Sequence, residues 1–265
     1  MEVVIELHIM ELSKCPDAQL LEAVFATLPS ETQRFKKLVS SQARHRFLAT
    51  RALLMFAVES ITKKLCLSAT LGRLHRGKPY FQSIEPFANI AFNMSHSASR
   101  VAVALTSYPT VVGVDVEDNL PIPEAPSLIR NYFGLEEVAA ASSLPRDSIS
   151  SHFLKSWCIK EAFHKATGDG LLGDLSTPTI LMQEEKLSVR FPDGPALPNQ
   201  IALFEVGRSP RSSYVSVSYR ADAPCKFSLR TNFAEQSPDG RLTATPPDQQ
   251  PPLVRLGNNF TGGDA

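Results

Sequence analysis

The sequence predicts an α/β protein, and three observations predict it. The first stretch, Met1 to Met10, alternates Val3, Ile5, Leu7 and Ile9 with Val4, Glu6, His8 and Met10, the period of a strand. Two long segments, from Ser30 to about Leu65 and from Phe153 to Thr167, instead place apolar residues at helical spacing. Short strand-like runs recur between and after them, so strands and helices alternate along the chain.

Each element has a local reason. After the first strand, Asp17 to Phe25 reads as a short helix. In the long helical region Phe35, Leu38, Phe47, Leu48, Leu54 and Val58 supply the apolar face, and Arg34, Lys36, Lys37, Arg44, Arg46 and Arg51 carry charge. Gly77 to Tyr80 is turn-like. Ile90 to Leu105 reads as strand, polar turn around Ser95 to Arg100, and a second strand ending in VAVAL. Val111 to Glu117 forms another strand, and Pro121, Pro123 and Pro126 break the chain after it. The helix from Phe153 stops at Gly168-Asp169-Gly170. Further strands are expected at Leu187 to Phe191, Ile201 to Val206 and Tyr214 to Tyr219. From about Ala234 prolines, glycines and polar residues dominate. That composition predicts a tail at 234–265 too poor in apolar surface to offset its ordering entropy.

Composition narrows the function. The 265 residues carry 27 basic and 27 acidic side chains, so overall charge directs the chain to neither nucleic acid nor an anionic membrane. No apolar run approaches the roughly 20 residues that span a bilayer. The first residues lack a basic n-region and a small-residue cleavage pattern. Cys15, Cys66, Cys158 and Cys225 are scattered without a CxxC, against a disulfide framework or a zinc site. These features read as a reduced, cytoplasmic protein.

Chemistry-bearing residues gather in a few places. In Val111-Val112-Gly113-Val114-Asp115-Val116-Glu117 the two carboxylates stand two apart, so a strand turns both to one face. Neighbouring carboxylates repel unless a cation lies between them, and a hard cation taking carboxylate and phosphate oxygens is what magnesium prefers. On the pair alone, an exposed strand edge running into a loop is the better explanation. On the second helix Trp157, Glu161 and Lys165 follow i, i+4, i+8, beside a stripe holding Lys160 and His164. A Glu–Lys pair at that spacing is also an ordinary surface pair. Between two strands, Phe92-Asn93-Met94-Ser95-His96-Ser97 offers hydroxyl, imidazole and backbone donors to a phosphate, or simply a polar turn. Arg44, Arg46, Arg51 and Lys78 could hold further phosphates, or lie on solvated faces.

The ordered combination is more specific than its parts. GKPY (77–80), FNMSHS (92–97), GVDVE (113–117) and WCIKEAFHKATGDGL (157–171) resemble, in order and spacing, the motifs of surfactin-synthetase (Sfp) type 4'-phosphopantetheinyl transferases. The resemblance covers roughly Glu2 to Tyr219. It implies two similar α/β halves related by a pseudo-twofold, with the active site in the cleft between them. The expected domains are 1–109, a phosphate- and coenzyme A-binding half; 110–233, the metal half; and the tail 234–265. It also implies a usually monomeric enzyme that moves the 4'-phosphopantetheine of coenzyme A to a serine of an apo acyl or peptidyl carrier protein. Adenosine 3',5'-bisphosphate is the other product.

Roles follow from the same resemblance. Asp115, Glu117 and Glu161 match the acidic positions that hold Mg2+ (or Mn2+) against the coenzyme A pyrophosphate. Lys165 matches a phosphate-contacting lysine considered for proton transfer, and Lys160 precedes the metal-site glutamate. Lys78, His96, Ser95 and an arginine among Arg44, Arg46 and Arg51 match the phosphate binders. Glu161, Lys165 and Asp115 are thus the expected catalytic set, with Glu161 or a water preferred as base. The segment Arg130 to Glu137 corresponds to an aromatic-rich stretch near the carrier, with Tyr132-Phe133-Gly134 where the family has F-F-S. Other classes stay open: a silent coenzyme A-binding module, or a magnesium-dependent phosphohydrolase.

Overall fold

A computed structural model describes residues 2–15, 24–63, 69–74, 76–82, 87, 89–108, 110–168, 174–183, 186–191, 200–208, 211–221, 226–237 and 242–258. The chain divides into two compact units, Met1–Val112 with Cys225–Gln250, and Gly113–Pro224 with Pro251–Ala265. The mixed α/β class expected from the alternation is observed in both.

In the first unit, β1 (Glu2–Glu11) lies in a five-stranded sheet of order β12-β11-β1-β5-β4. Its partners are β4 (Ala91–His96), β5 (Arg100–Thr106), β11 (Lys226–Gln236) and β12 (Leu242–Ala244). The apolar alternation of β1 is used as expected: Val3, Ile5, Leu7 and Ile9 are all buried. His8 and Met10 on the opposite face are buried too, so this strand is covered on both sides. A small hairpin, β2 (Leu71–Arg73) with β3 (Pro79–Phe81), completes the strands of this unit.

The single helical region expected from Ser30 is interrupted. A 3₁₀ turn at Pro29–Glu31 leads into a short helix, α1 (Thr32–Lys36). The long helix α2 (Ser41–Thr62) starts afresh at Ser40, whose hydroxyl accepts from the Ala43 N–H at 3.1 Å. It ends at Lys63, in the left-handed region with φ 56°. Leu48, Leu53, Leu54, Ala57 and Val58 seat it on β1, β4 and β5. Each fully buried aliphatic side chain contributes about 1.5–3 kcal/mol over exposure. The helix expected over Asp17 to Phe25 falls mostly outside the described residues, which show a helical turn at 24–27.

In the second unit, β6 (Thr110–Asp118), β9 (Gln200–Val206), β10 (Ser213–Ala221) and β13 (Leu253–Asn258) form a sheet of order β13-β9-β10-β6. A hairpin of β7 (Thr179–Gln183) and β8 (Lys186–Arg190) stands beside it. The later helix begins earlier than its apolar pattern indicated, as α5 (Arg146–Thr167), just after Pro145. It closes at Gly168, where φ 85° admits a C-cap that few other residues adopt. The rest of the expected Gly-Asp-Gly stop lies outside the described residues.

One stretch gains elements beyond those read from the sequence, and one expectation is corrected. The proline-rich stretch after β6 leads into two helices, α3 (Ala125–Tyr132) and α4 (Leu135–Ser142), because Pro126 sits in the first helical turn, where no N–H is needed. The stretch 234–265 is not uniformly tail. β11 ends within it, β12 follows, and β13 extends the sheet of the second unit by pairing with β9. Domain limits of 1–109, 110–233 and 234–265 thus give way to two units that each take in a late segment.

Candidate functional site

The site is assembled in the second unit by one close packing. Gly113, Asp115 and Glu117 alternate along β6 toward one face. Val112, Val114 and Val116, each at most 1% exposed, fill the other. Helix α5 crosses the glycine face so closely that a Cβ at position 113 would stand 2.0 Å from the Ala162 carbonyl oxygen and 2.4 Å from the Ala166 nitrogen. Glu161 and Lys165, each one residue before those alanines, are thereby brought beside Asp115.

The Lys165 ammonium lies 2.5 Å from Asp115 Oδ1 and 3.8 Å from Glu161 Oε2. Asp115 and Glu161 are buried, at 3% and 6% exposure, and Glu161 Oε1 is buried with no hydrogen-bond partner. Burial pushes the Glu161 carboxyl up, Lys165 opposes that, and Asp115 adds to it. Glu117 is pushed up to about 8, first by burial, then by the Asp115 charge, with Glu161 adding and Lys165 opposing. For Lys165, burial works against the charge, but Asp115 and Glu161 outweigh it and raise the ammonium above its usual range. Carboxylates held this close need positive charge among them.

The donor set is all carboxylate oxygen, which suits a hard divalent cation, and the unpartnered Glu161 Oε1 is a ready ligand atom. Among the described residues no three His, Cys, Asp or Glu side chains already form a metal-holding group. The Lys165 ammonium stands between Asp115 and Glu161 in this arrangement.

Lys160, expected near the ligand, is turned inward. It is fully buried and pairs with Glu137, 2.9 Å to Oε1 and 3.1 Å to Oε2, while donating to the Pro178 carbonyl at 2.5 Å. Glu137 also accepts from the Gly134 and Ile180 N–H groups, at 2.9 and 3.0 Å. This buried hub ties α4, α5 and β7 together, so Lys160 supports the helix that carries Glu161.

The expected phosphate binders lie in the first unit and divide. Arg51 is committed inward: its Nε and Nη2 donate to Glu31 Oε2 at 2.9 and 2.7 Å, and its guanidinium stacks 3.7 Å from the Phe47 ring centroid. Arg73 takes the other Glu31 oxygen at 2.5 Å. Neither Glu31 nor Arg73 was singled out by sequence, since their partners are distant in the chain. Arg44 is exposed, with Nε donating to the Leu38 carbonyl at 2.9 Å. Arg46 is half-buried and its Nε has no hydrogen-bond partner. Lys78 donates to the Val112 carbonyl at 3.0 Å, and burial lowers its ammonium to about 8. Ser95 is buried and His96 exposed at the end of β4. There Ser97 Oγ organises the turn by accepting from the Ser99 and Arg100 N–H groups. Among the expected arginines, Arg44 and Arg46 are therefore the ones whose placement leaves a guanidinium for ligand.

The segment Arg130 to Glu137 is also reassigned in part. Phe133 is buried and stacks on Phe153 at 5.8 Å, and Trp157 packs 5.5 Å from the same ring. Tyr132 and Leu135, 47% and 89% exposed, are the large apolar side chains this segment presents outward.

Known proteins resemble the chain over both units. The description "4'-phosphopantetheinyl transferase, N-terminal" matches residues 15–108, and "4'-phosphopantetheinyl transferase superfamily" matches residues 111–213. The 4'-phosphopantetheinyl transferase HetI of Nostoc sp. is 29% identical over 63% of this chain and 70% of its own. A putative 4'-phosphopantetheinyl transferase of Haemophilus influenzae is 30% identical over 66% of this chain and 70% of its own. The 4'-phosphopantetheinyl transferase Sfp of Bacillus subtilis is 30% identical over 49% and 55%. The motifs predicted from sequence, the carboxylate cluster they build and these matches agree, and the chain belongs to the 4'-phosphopantetheinyl transferase superfamily.

Proposed function

We propose that the protein transfers the 4'-phosphopantetheine of coenzyme A to a serine hydroxyl of an apo acyl or peptidyl carrier protein, releasing adenosine 3',5'-bisphosphate. The observation that carries this reading is the contact of Lys165 with both Asp115 and Glu161, beside Glu117. Three carboxylates and one ammonium make a polyvalent site for a cation-bound pyrophosphate, and clustered carboxylates of shifted pKa are what functional sites gather.

Asp115, Glu117 and Glu161 are the residues that would hold Mg2+. Once bound, that ion would neutralise charge on the pyrophosphate oxygens. Lys165, kept protonated by its carboxylate neighbours, serves as an electrostatic clamp on phosphate and not as a base. The serine oxygen attacks the β-phosphorus, the bond to the bridging oxygen breaks, and the bisphosphate departs with that oxygen. Glu161, with a carboxyl oxygen free of hydrogen bonds, is the group we assign to accept the serine proton, directly or through water. Lys78, His96, Ser95 and Arg44 or Arg46 hold the phosphates of coenzyme A.

Tyr132 and Leu135 supply an exposed aromatic and aliphatic contact for the carrier protein. Cys15 and Cys158 are buried and in no disulfide among the described residues, which supports a cytoplasmic setting. No helix among the described residues is long and apolar enough to cross a membrane. A monomer is the assembly we assign.

The test is incubation of the protein with coenzyme A, Mg2+ and a panel of apo carriers, read by mass spectrometry of the carrier. Pantetheinylated carrier supports transfer. Coenzyme A cleavage without carrier modification would make the protein a phosphohydrolase, and neither product would leave a silent binding module.

A further inference from the structure

The second unit contains a cavity of about 780 Å³ that shares no lining residue with the carboxylate cluster. It lies along the N-terminal half of α5, closed by the β7–β8 hairpin, β9 and β13. Lys155, on its wall, is ten residues before Lys165, about 15 Å along the helix at 1.5 Å per residue. The volume falls within the roughly 300–1,000 Å³ of small-molecule sites.

Its lining is two-sided. Met182, Leu187, Leu203 and Leu256 give it an apolar wall, while Ser151, His152 and Lys155 line it from the helix. His152 is only 8% exposed, yet its Nε2 is buried with no hydrogen-bond partner. Leaving such an atom unsatisfied costs about 1–3 kcal/mol, so a polar group in the cavity would be taken up there. The Lys155 ammonium sits 5.2 Å from the Tyr214 ring centroid and makes no ion pair among the described residues. The Tyr214 hydroxyl is already paired with Ser151 Oγ at 2.7 Å. An imidazole nitrogen without a hydrogen-bond partner and an ammonium without an ion pair therefore stand on the helix wall of a chamber that Asp147 and Arg255 also line.

We propose that this cavity is a binding site for a monoanionic amphiphile, a carboxylate bearing a medium-length apolar chain. The carboxylate takes Lys155 and His152 Nε2, and the chain lies against Met182, Leu187, Leu203 and Leu256. A single negative charge is favoured because the cations of the lining, Lys155 and Arg255, are offset in part by Asp147, which also lines it, and by Glu205, which acts on Lys155 from beyond pairing distance. A more highly charged phosphate would meet the Asp147 carboxylate as well. Burial holds His152 below the usual imidazole range, so it meets the carboxylate as a neutral N–H donor.

The site stands independently of the transfer reaction, and its test uses the full chain with three probes: decanoate below its micelle concentration, 1-decanol and inorganic phosphate. Calorimetric titration should show one saturable site for decanoate, at least tenfold weaker binding of decanol, and no phosphate binding at the same concentrations. Lys155→Met should weaken decanoate at least tenfold and leave the rate of carrier modification unchanged. Leu256→Trp, made on the partly exposed strand β13, should weaken decanoate by filling the chamber, and serves if Lys155→Met folds poorly. No saturable decanoate binding overturns the proposal. So does equal affinity for decanol, tighter binding of phosphate, or unchanged decanoate affinity in both variants.

Discussion

Gly113 lies directly beneath Ala162: a side chain at 113 would begin 2.0 Å from the Ala162 carbonyl oxygen, closer than real Cβ atoms approach anything. Main chain, not a flexible side-chain end, occupies that space, so the helix itself must give. Gly113→Ala should destabilise the protein by about 1–3 kcal/mol, the usual cost of overpacking. Because α5 carries Glu161 and Lys165, the same change should lower kcat for carrier modification more than a surface control of equal stability loss. Denaturant titration alongside a kinetic assay checks both parts.

Lys165 should matter for turnover beyond any stability that its loss costs the buried carboxylates. Lys165→Met is expected to reduce kcat/KM by about 10²–10³, the range for loss of a preorganised charge at a developing oxyanion. It also removes the ammonium bridging Asp115 and Glu161, so added Mg2+ should raise Tm more in the variant than in the parent. Full turnover in Lys165→Met would rule out any clamp role. Thermal melts with and without Mg2+, beside initial rates, separate the two effects.

Phe133 and its neighbours should part company. Phe133→Ala removes a buried ring stacked on Phe153 and should cost about 3–5 kcal/mol. Tyr132→Ala and Leu135→Ala, on exposed side chains, should leave Tm nearly unchanged while raising the carrier KM and sparing that of coenzyme A. An unchanged carrier KM in both would place the carrier elsewhere.

Glu31 links acid sensitivity to the first unit. Burial alone would raise its carboxyl, but Arg51 and Arg73 outweigh it and hold the group below its ordinary value of 4.5. A carboxylate depressed in the folded state adds stability that is fully present above the unfolded pKa. That stability is lost as pH falls below about 4.5 and through the lower folded value. Glu31→Gln should cost about 3–5 kcal/mol at neutral pH by stranding Arg51. Its stability curve should also be flatter than the parent's in acid, as measured by urea titrations from pH 7 to 3.

How much of this was legible in the sequence depends on range. The same-face placement of Asp115 and Glu117 follows from strand period alone. The meeting of Glu161 and Lys165 with them follows once the motifs are read together. Partners far apart in the chain left no such mark: Lys160 finds Glu137 23 residues back, and Arg51 finds Glu31 20 residues back. Both cations were therefore expected at ligand and are spent on the interior. In 226–236 the alternation of Phe227, Leu229 and Phe233 was a usable strand signal. It was masked by the proline- and glycine-rich sequence that follows, and its parallel pairing with β1 joins opposite ends of the chain.

That pairing also sets an order of events during synthesis. β1 leaves the ribosome long before its parallel neighbour β11. The second sheet likewise waits for β13. A nascent chain halted after residue 221 would expose one whole edge of β1 and one edge of β9. Such stalled or truncated products should be recognised by chaperones and degraded, and a gene split between the two motif-bearing halves should not yield two soluble fragments.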